Sequence, residues 1–246
     1  KKTFVDMMLS QDPNEPIIKK MMQMNEGIIN RRQMAKLAGW SLIAMAIVAG
    51  IGYGYAFGAI YVKGDSAATL GNIQQQRAML PIVITTYSIM LLLDVVVAWA
   101  LYKFFLQDNP ALSRIAGWLR VVYCVWLAVA ILQLYYAQDL SAMKGADAGV
   151  VMNYIERFLQ VWSQGLIVFG VHLLLIGTLA CRTAAIPKLI SGLVFFAGVA
   201  YMGTNILRQI WDGYMQYKAT VEAVLSLPMA LGELLLAVWL IRKVGK

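Results

Sequence analysis

Histidine occurs once in this chain and cysteine twice, and charged residues make up only 14% of it. A protein metal site draws three or four ligands from Cys, His and carboxylates at short spacings, and no CxxC or HExxH spacing is present. No metal or other cofactor is therefore expected. Cys124 and Cys181 fall on different apolar segments at different depths, so they are expected to be unpaired, small packing residues. A glycine-rich phosphate loop, a GxGxxG turn after a strand and a GxSxG elbow are also missing, and no catalysis is expected. No internal repeat is evident, which gives no support for an inverted-repeat transporter. The formal net charge of +8 raises nucleic acid as a partner. Binding of that kind needs basic residues interleaved with solvent-facing aromatics, whereas the Trp and most of the Tyr here lie in or beside apolar runs.

What the chain has in excess is apolar surface. Of 246 residues 60% are hydrophobic, and the mean hydropathy is +0.65; soluble domains lie near about half apolar and about a quarter charged. Six stretches approach the ~20 residues needed to cross ~30 Å of hydrocarbon. They run at Ala38–Tyr61, Leu80–Tyr102, Ala111–Tyr136, Phe158–Cys181, Ile186–Leu207 and Val221–Ile241. The fold class expected is all-α, a polytopic bundle of six transmembrane helices. Polar connectors lie between the spans at Lys63–Arg77, Gln138–Arg157 and Arg208–Lys218, and on the other side at Lys103–Asn109 and Arg182–Ala185.

Lys and Arg give the spans a direction. Seven stand in the N-terminal segment (Lys1, Lys2, Lys19, Lys20, Arg31, Arg32, Lys36), four in the even connectors (Lys103, Arg114, Arg182, Lys188) and three at the C-terminus (Arg242, Lys243, Lys246). Six face the other way: Lys63, Arg77, Lys144, Arg157, Arg208 and Lys218. Fourteen against six predicts both ends in the cytoplasm.

Two regions follow: 1–36 as a cytoplasmic or interfacial segment and 37–246 as the transmembrane domain. Within the first, Ile17–Met34 reads as a basic amphipathic helix at the headgroup surface, and Met21, Met22 and Met24 suit an adaptable protein interface equally. Asp12–Pro16 is turn-like. No cleavable signal peptide is expected ahead of the first span, and Lys rather than Met at position 1 leaves room for a start upstream. Gly50, Gly52, Gly54 and Gly58 are spaced for close helix packing.

Four ionisable residues stand inside apolar runs: Asp94 in LLLDVVVAW, Arg120 in GWLRVVYCVW, His172 in FGVHLLLIG and Glu233 in LGELLLAVW. Such groups are costly in lipid and face the bundle interior, in pairs. Each lies about eight or nine residues from the cytoplasmic end of its span, or ~12–14 Å at ~1.5 Å per residue. Four helices thus place their ionisable groups in one layer, with Tyr123 one turn beyond Arg120. A buried Arg needs a carboxylate and can engage two; the second carboxylate is then expected either to be protonated or to hold a protonated His172. Two readings stand: an ion cluster that fixes helix register, and a proton- or ligand-handling site.

At these residues the sequence resembles a bacterial membrane family, the domain of unknown function DUF4386. The resemblance rests on Gly64-Asp-Ser-Ala-Ala-Thr-Leu-Gly-Asn-Ile73, Leu92-Leu-Asp-Val95, Leu119-Arg-Val121, Phe169-Gly-Val-His-Leu-Leu-Leu-Ile-Gly177, Ile186-Pro-Lys-Leu-Ile-Ser-Gly192 and Gly232-Glu-Leu-Leu-Leu-Ala-Val-Trp239. It implies a six-helix, multi-pass protein of the bacterial inner (cytoplasmic) membrane, and brings no activity with it. It also implies that Asp94, Arg120, His172 and Glu233 belong to the family pattern, that an acidic residue often stands where this chain has Tyr123, and that residues 1–36 are additional to the family core.

Besides the lipid bilayer, the partners expected are other membrane subunits, met through Lys1–Lys36 or the helix faces. An accessory or structural subunit of a larger membrane assembly is the first expectation for function. The alternative is a small proton-coupled transporter, or a lipid- or small-molecule-binding membrane protein, that uses the buried layer. A dry, fully paired cluster would count against the transporter, and a lateral opening beside the layer would favour lipid binding.

Overall fold

A computed structural model describes the backbone of residues 15–211 and 213–242, and the side chains of residues 30–242 except at 212, 215, 218, 219 and 222. All of the secondary structure among the described residues is helical. The first helix, α1 (Glu15–Ala49), runs without interruption into a π-helical segment (Gly50–Phe57) and a last α-turn (Gly58–Ile60). A short helix, α2 (Ser66–Gln75), leads to α3 (Met79–Phe105), α4 (Pro110–Ser141), α5 (Ala148–Arg182), α6 (Lys188–Ile210) and α7 (Tyr214–Arg242). Six segments are long and apolar enough to span a membrane: Asn30–Ile60, Met79–Phe105, Pro110–Ser141, Ala148–Arg182, Lys188–Ile210 and Ala223–Arg242.

Helices continue well past the apolar stretches that announce them. The long polar connector expected over Gln138–Arg157 shrinks to residues 142–147, because α4 ends only at Ser141 and α5 starts at Ala148. Its turn is set by Gly145 at φ 76° and by Asp147, whose carboxylate accepts from the N–H groups of Gly149 and Val150 at 2.8 and 3.1 Å. Asn109 caps α4 in the same way, ahead of Pro110 in its first turn. The connector expected over Lys63–Arg77 holds α2, capped by Asp65 Oδ1 on the Ala68 N–H at 2.8 Å. Residues 1–14, with most of the Asp12–Pro16 turn, and the side chains of Ile17–Ile29 lie outside what is described, so the amphipathic face expected there does too. Glu15 and Pro16 already belong to α1.

The six spans form a closed ring in chain order, each packing on its neighbours, with α7 returning to α1. Small residues set the close crossings. A Cβ built on Gly170 would lie 2.7 Å from the Met202 N and 2.8 Å from the Gly198 O, which locks α5 to α6. Gly39 meets Ala237 of α7 equally closely, at 2.6 Å. At the end of the bundle bearing the termini, Arg31 pairs with Asp108 and lies over the Phe104 ring. At the opposite end, Phe57, Tyr87, Phe158 and Trp162 pack into an aromatic plug across the ring, mostly edge-to-face or tilted, with centroids 5.0–5.9 Å apart.

The glycines of the first span depart from the packing role expected of them. Of Gly50, Gly52, Gly54 and Gly58, only Gly52 is tightly met, by Thr86 Oγ1 at 2.3 Å from a built Cβ. Gly50 and Gly54 have open space instead, and Gly58 meets only the Tyr53 carbonyl of its own helix at 3.9 Å. The π-helical turns widen the helix here, with Gly52 set against α3 and Gly50 and Gly54 at an opening.

Gly170→Ala is expected to lower the melting temperature of the detergent-purified protein, since the new methyl group meets α6 backbone. Gly203→Ala, with nothing within 4 Å of its Cβ, is expected to leave it unchanged or raise it by up to about 1 kcal/mol of helix propensity. Thermal unfolding followed by circular dichroism distinguishes the two; equal effects would argue against the α5–α6 contact.

Candidate functional site: a buried ion cluster beside a central cavity

Arg120 sits at the middle of the ring and is 1% exposed, with Asp94 and His172 each at 0%. Its guanidinium can only donate, and each direction is occupied. Nε donates to Asp94 Oδ1 at 2.9 Å, and Nη2 lies 2.7 Å from the same oxygen in an ion pair. Nη1 lies 3.2 Å from His172 Nε2, and Nη2 reaches Met45 Sδ at 3.8 Å. The Phe169 ring covers the plane, 5.2 Å from Cζ, and stacks on His172. Helices α1, α3, α4 and α5 thus converge on one side chain.

His172 is oriented by its two contacts. Nδ1 lies 2.8 Å from the Ala116 carbonyl, which can only accept, while Nε2 faces a group that can only donate. The Nδ1–H tautomer is the form that satisfies both. Of the two expectations for the second carboxylate, protonation or holding a protonated His172, the latter is not met: His172 is a second acceptor for Arg120, and Glu233 is placed elsewhere. Glu233 of α7 pairs with the Tyr201 hydroxyl of α6 and lies within electrostatic reach of Asp94 and Arg120.

Beside this cluster is a cavity of about 570 Å³, bounded by Asp94, Glu233 and the aromatic residues Tyr53, Tyr87, Tyr123, Trp162, Phe169 and Tyr201. The single-oxygen engagement of Asp94 by Arg120 leaves Oδ2 without a hydrogen-bond partner, and the Tyr87 hydroxyl has none either. Both residues border the cavity. Tyr123, the fifth residue singled out in the sequence, accepts from Trp162 Nε1 at 3.4 Å and forms part of the same wall. Below the cavity α1 and α7 touch at Gly39; above it they part. The lining there comes from Ala46, Gly50 and Gly54 of the first helix and Ser226 and Ala230 of α7, all of them exposed. The cavity therefore opens sideways through the α1–α7 seam.

The charge pattern in the sequence reached Asp94, Arg120, His172 and Glu233. It missed Tyr87, Tyr201 and Trp162, since an aromatic residue in an apolar span carries no signal of its own in hydropathy. The one available hint was the concentration of hydroxyl-bearing aromatics within spans rather than only at their ends.

The guanidinium's fork makes Arg120→Lys a severe change despite the retained charge, because one ammonium cannot serve Asp94 and His172 together. A loss of roughly 2–3 kcal/mol is expected in chemical denaturation, and about 1–3 kcal/mol for His172→Ala, which leaves a buried donor unpaired. A lysine variant as stable as the parent would show that the fork is not needed.

The family described as Domain of unknown function (DUF4386) matches residues 37–243. An uncharacterized protein of Archaeoglobus fulgidus is 31% identical over 164 residues, covering 65% of this chain and 85% of the archaeal one. No solved structure matches. A match over residues 37–243, which holds every residue of the buried cluster, makes this chain a member of the DUF4386 family.

Proposed function

We propose that this protein binds a small apolar or amphiphilic molecule inside its helix bundle, the second of the two functions the sequence leaves open. The observation that carries this reading is the cavity itself. Its volume of about 570 Å³ lies within the ~300–1,000 Å³ of small-molecule sites, which are mostly apolar with a few convergent polar groups. Asp94 and Glu233 supply those groups, and the sideways opening gives a route from the lipid phase. Asp94, Arg120, His172, Glu233 and Tyr123 are accordingly proposed as the residues that shape the site, with Arg120 and His172 acting as its support. No acid–base or nucleophilic role is assigned to any of them. The surplus of Lys and Arg on the side of the termini supports an N-in, C-in orientation, and residence in the inner membrane of a bacterial cell is part of the proposal.

A second reading keeps the accessory subunit. It is favoured by the reach of α1, which begins at Glu15, well ahead of the family match at residue 37. The stretch ahead of the first membrane segment, continuous with it through α1, would then meet a membrane partner. Deletion of 1–29, which spares Arg31 and the first span, is expected to release any stoichiometric partner while leaving the bundle folded; unchanged association would remove this reading.

Blocking the seam tests the binding reading directly. Ala230→Trp places a large ring in the mouth of the cavity and is expected to abolish ligand adducts detected by native mass spectrometry of the gently solubilised protein. The parent is expected to retain at least one adduct of lipid or small-molecule mass. Identical spectra from the two proteins would contradict the proposal.

A further inference from the structure

From the chemistry of the cavity wall we infer that the occupant is an organic cation, an apolar body carrying one positive charge such as a tertiary amine or quaternary ammonium. The inference rests on the ligand-binding reading above and names the class of ligand. Three features lead to it.

The first is the charge left over. Asp94 and Arg120 offset each other, and Arg120 turns its donors to Asp94, His172 and Met45 rather than to the cavity. Glu233 has a phenol, Tyr201, as its immediate partner. The wall therefore offers two carboxyl groups, and among the described residues lining it there is no Lys or Arg. An anionic ligand would meet acidic groups with no countercharge in contact.

The second is the unpartnered acceptor. Asp94 Oδ2 is buried, with Asp94 at 0% exposure, and has no hydrogen-bond partner. A buried carboxylate oxygen in that condition is completed by a donor or a positive charge, and most buried polar atoms in proteins do have a partner. The Tyr87 hydroxyl, also unpartnered, stands on the same wall.

The third is the aromatic lining. Tyrosine, tryptophan and phenylalanine faces attract cations through their quadrupoles, and enclosures of several such rings with a carboxylate are the common protein solution for alkylammonium groups. Here the rings line the same cavity as the two carboxyl groups, so the charged centre fits among them near Asp94 and Glu233. The apolar body is then directed toward the small residues of the α1–α7 seam, Gly50, Gly54 and Ala230. Entry from the bilayer suits a molecule that already partitions into lipid.

The test uses the full-length protein in detergent and three radiolabelled probes of matched shape, read by scintillation proximity. These are benzyltrimethylammonium, its neutral carbon isostere neopentylbenzene, and benzenesulfonate. Expected is binding of the ammonium at least about tenfold tighter than the neutral isostere, no saturable binding of the sulfonate, and loss of the tenfold preference in Glu233→Gln. Equal binding of the ammonium and the isostere would overturn the cationic assignment while leaving the ligand-binding reading intact, as would tighter binding of the sulfonate. Failure of all three probes, together with unchanged spectra on blocking the seam with Ala230→Trp, would overturn both. Should Glu233→Gln fail to fold, the ranking of the three probes on the parent protein still decides.

Discussion

A guanidinium in the middle of a membrane bundle cannot lose its charge and cannot be left unpaired, and this constraint organises the protein. Its donors must be met by groups on other helices, since α4 has no carboxylate near Arg120. Asp94 of α3 and His172 of α5 meet two sides, Met45 of α1 a third, and the Phe169 ring the face. Four of the six spans are thereby fixed in register to within hydrogen-bonding tolerance. Helix association in lipid has little hydrophobic driving force, so a polar centre of this kind specifies one arrangement where apolar packing would accept several.

The remaining two spans, α6 and α7, are held differently. Glycines bring α6 against α5 at Gly170 and Gly198, and α7 against α6 at Gly232, where a built Cβ would lie 2.8 Å from the Leu193 O. The ring closes at Gly39 and Ala237, yet only in its terminal half. Higher up, the first helix widens into π-helical turns in which Gly50 and Gly54 touch nothing, and α7 carries Pro228, which removes one backbone donor from its ladder. Both helices are thus least regular where the seam opens. The interior acidic groups are reached from there, so the organising ion pair and the binding cavity are two sides of one layer.

Much of this was legible in the sequence because lipid imposes simple rules. Hydropathy located six spans, and the depth count brought Asp94, Arg120, His172 and Glu233 to a common level before any contact was known. The partners within that level were not legible. Depth is a single coordinate, whereas pairing depends on helix order around the ring and on rotation about each axis, and so Glu233 came to Tyr201 rather than to His172. The short helix α2 was hidden in a polar connector, since a ten-residue helix lying outside the bilayer needs no apolar run. Glycine spacing suggested tight packing at Gly50, Gly52 and Gly54; Gly52 does pack so against Thr86, whereas at Gly50 and Gly54 the absence of a side chain leaves room for an opening, and spacing alone does not separate the two.

The most direct test of the central claim is a double-mutant cycle on Asp94 and Arg120, with Asp94→Asn, Arg120→Met and the pair, followed by reversible denaturation in mild detergent. If the ion pair organises the bundle, each single variant strands a buried partner and loses roughly 3–5 kcal/mol, while the double variant loses far less than the sum. Additive losses would contradict the account, since they would mean that the two residues are stabilised independently and that the layer is not built around their contact.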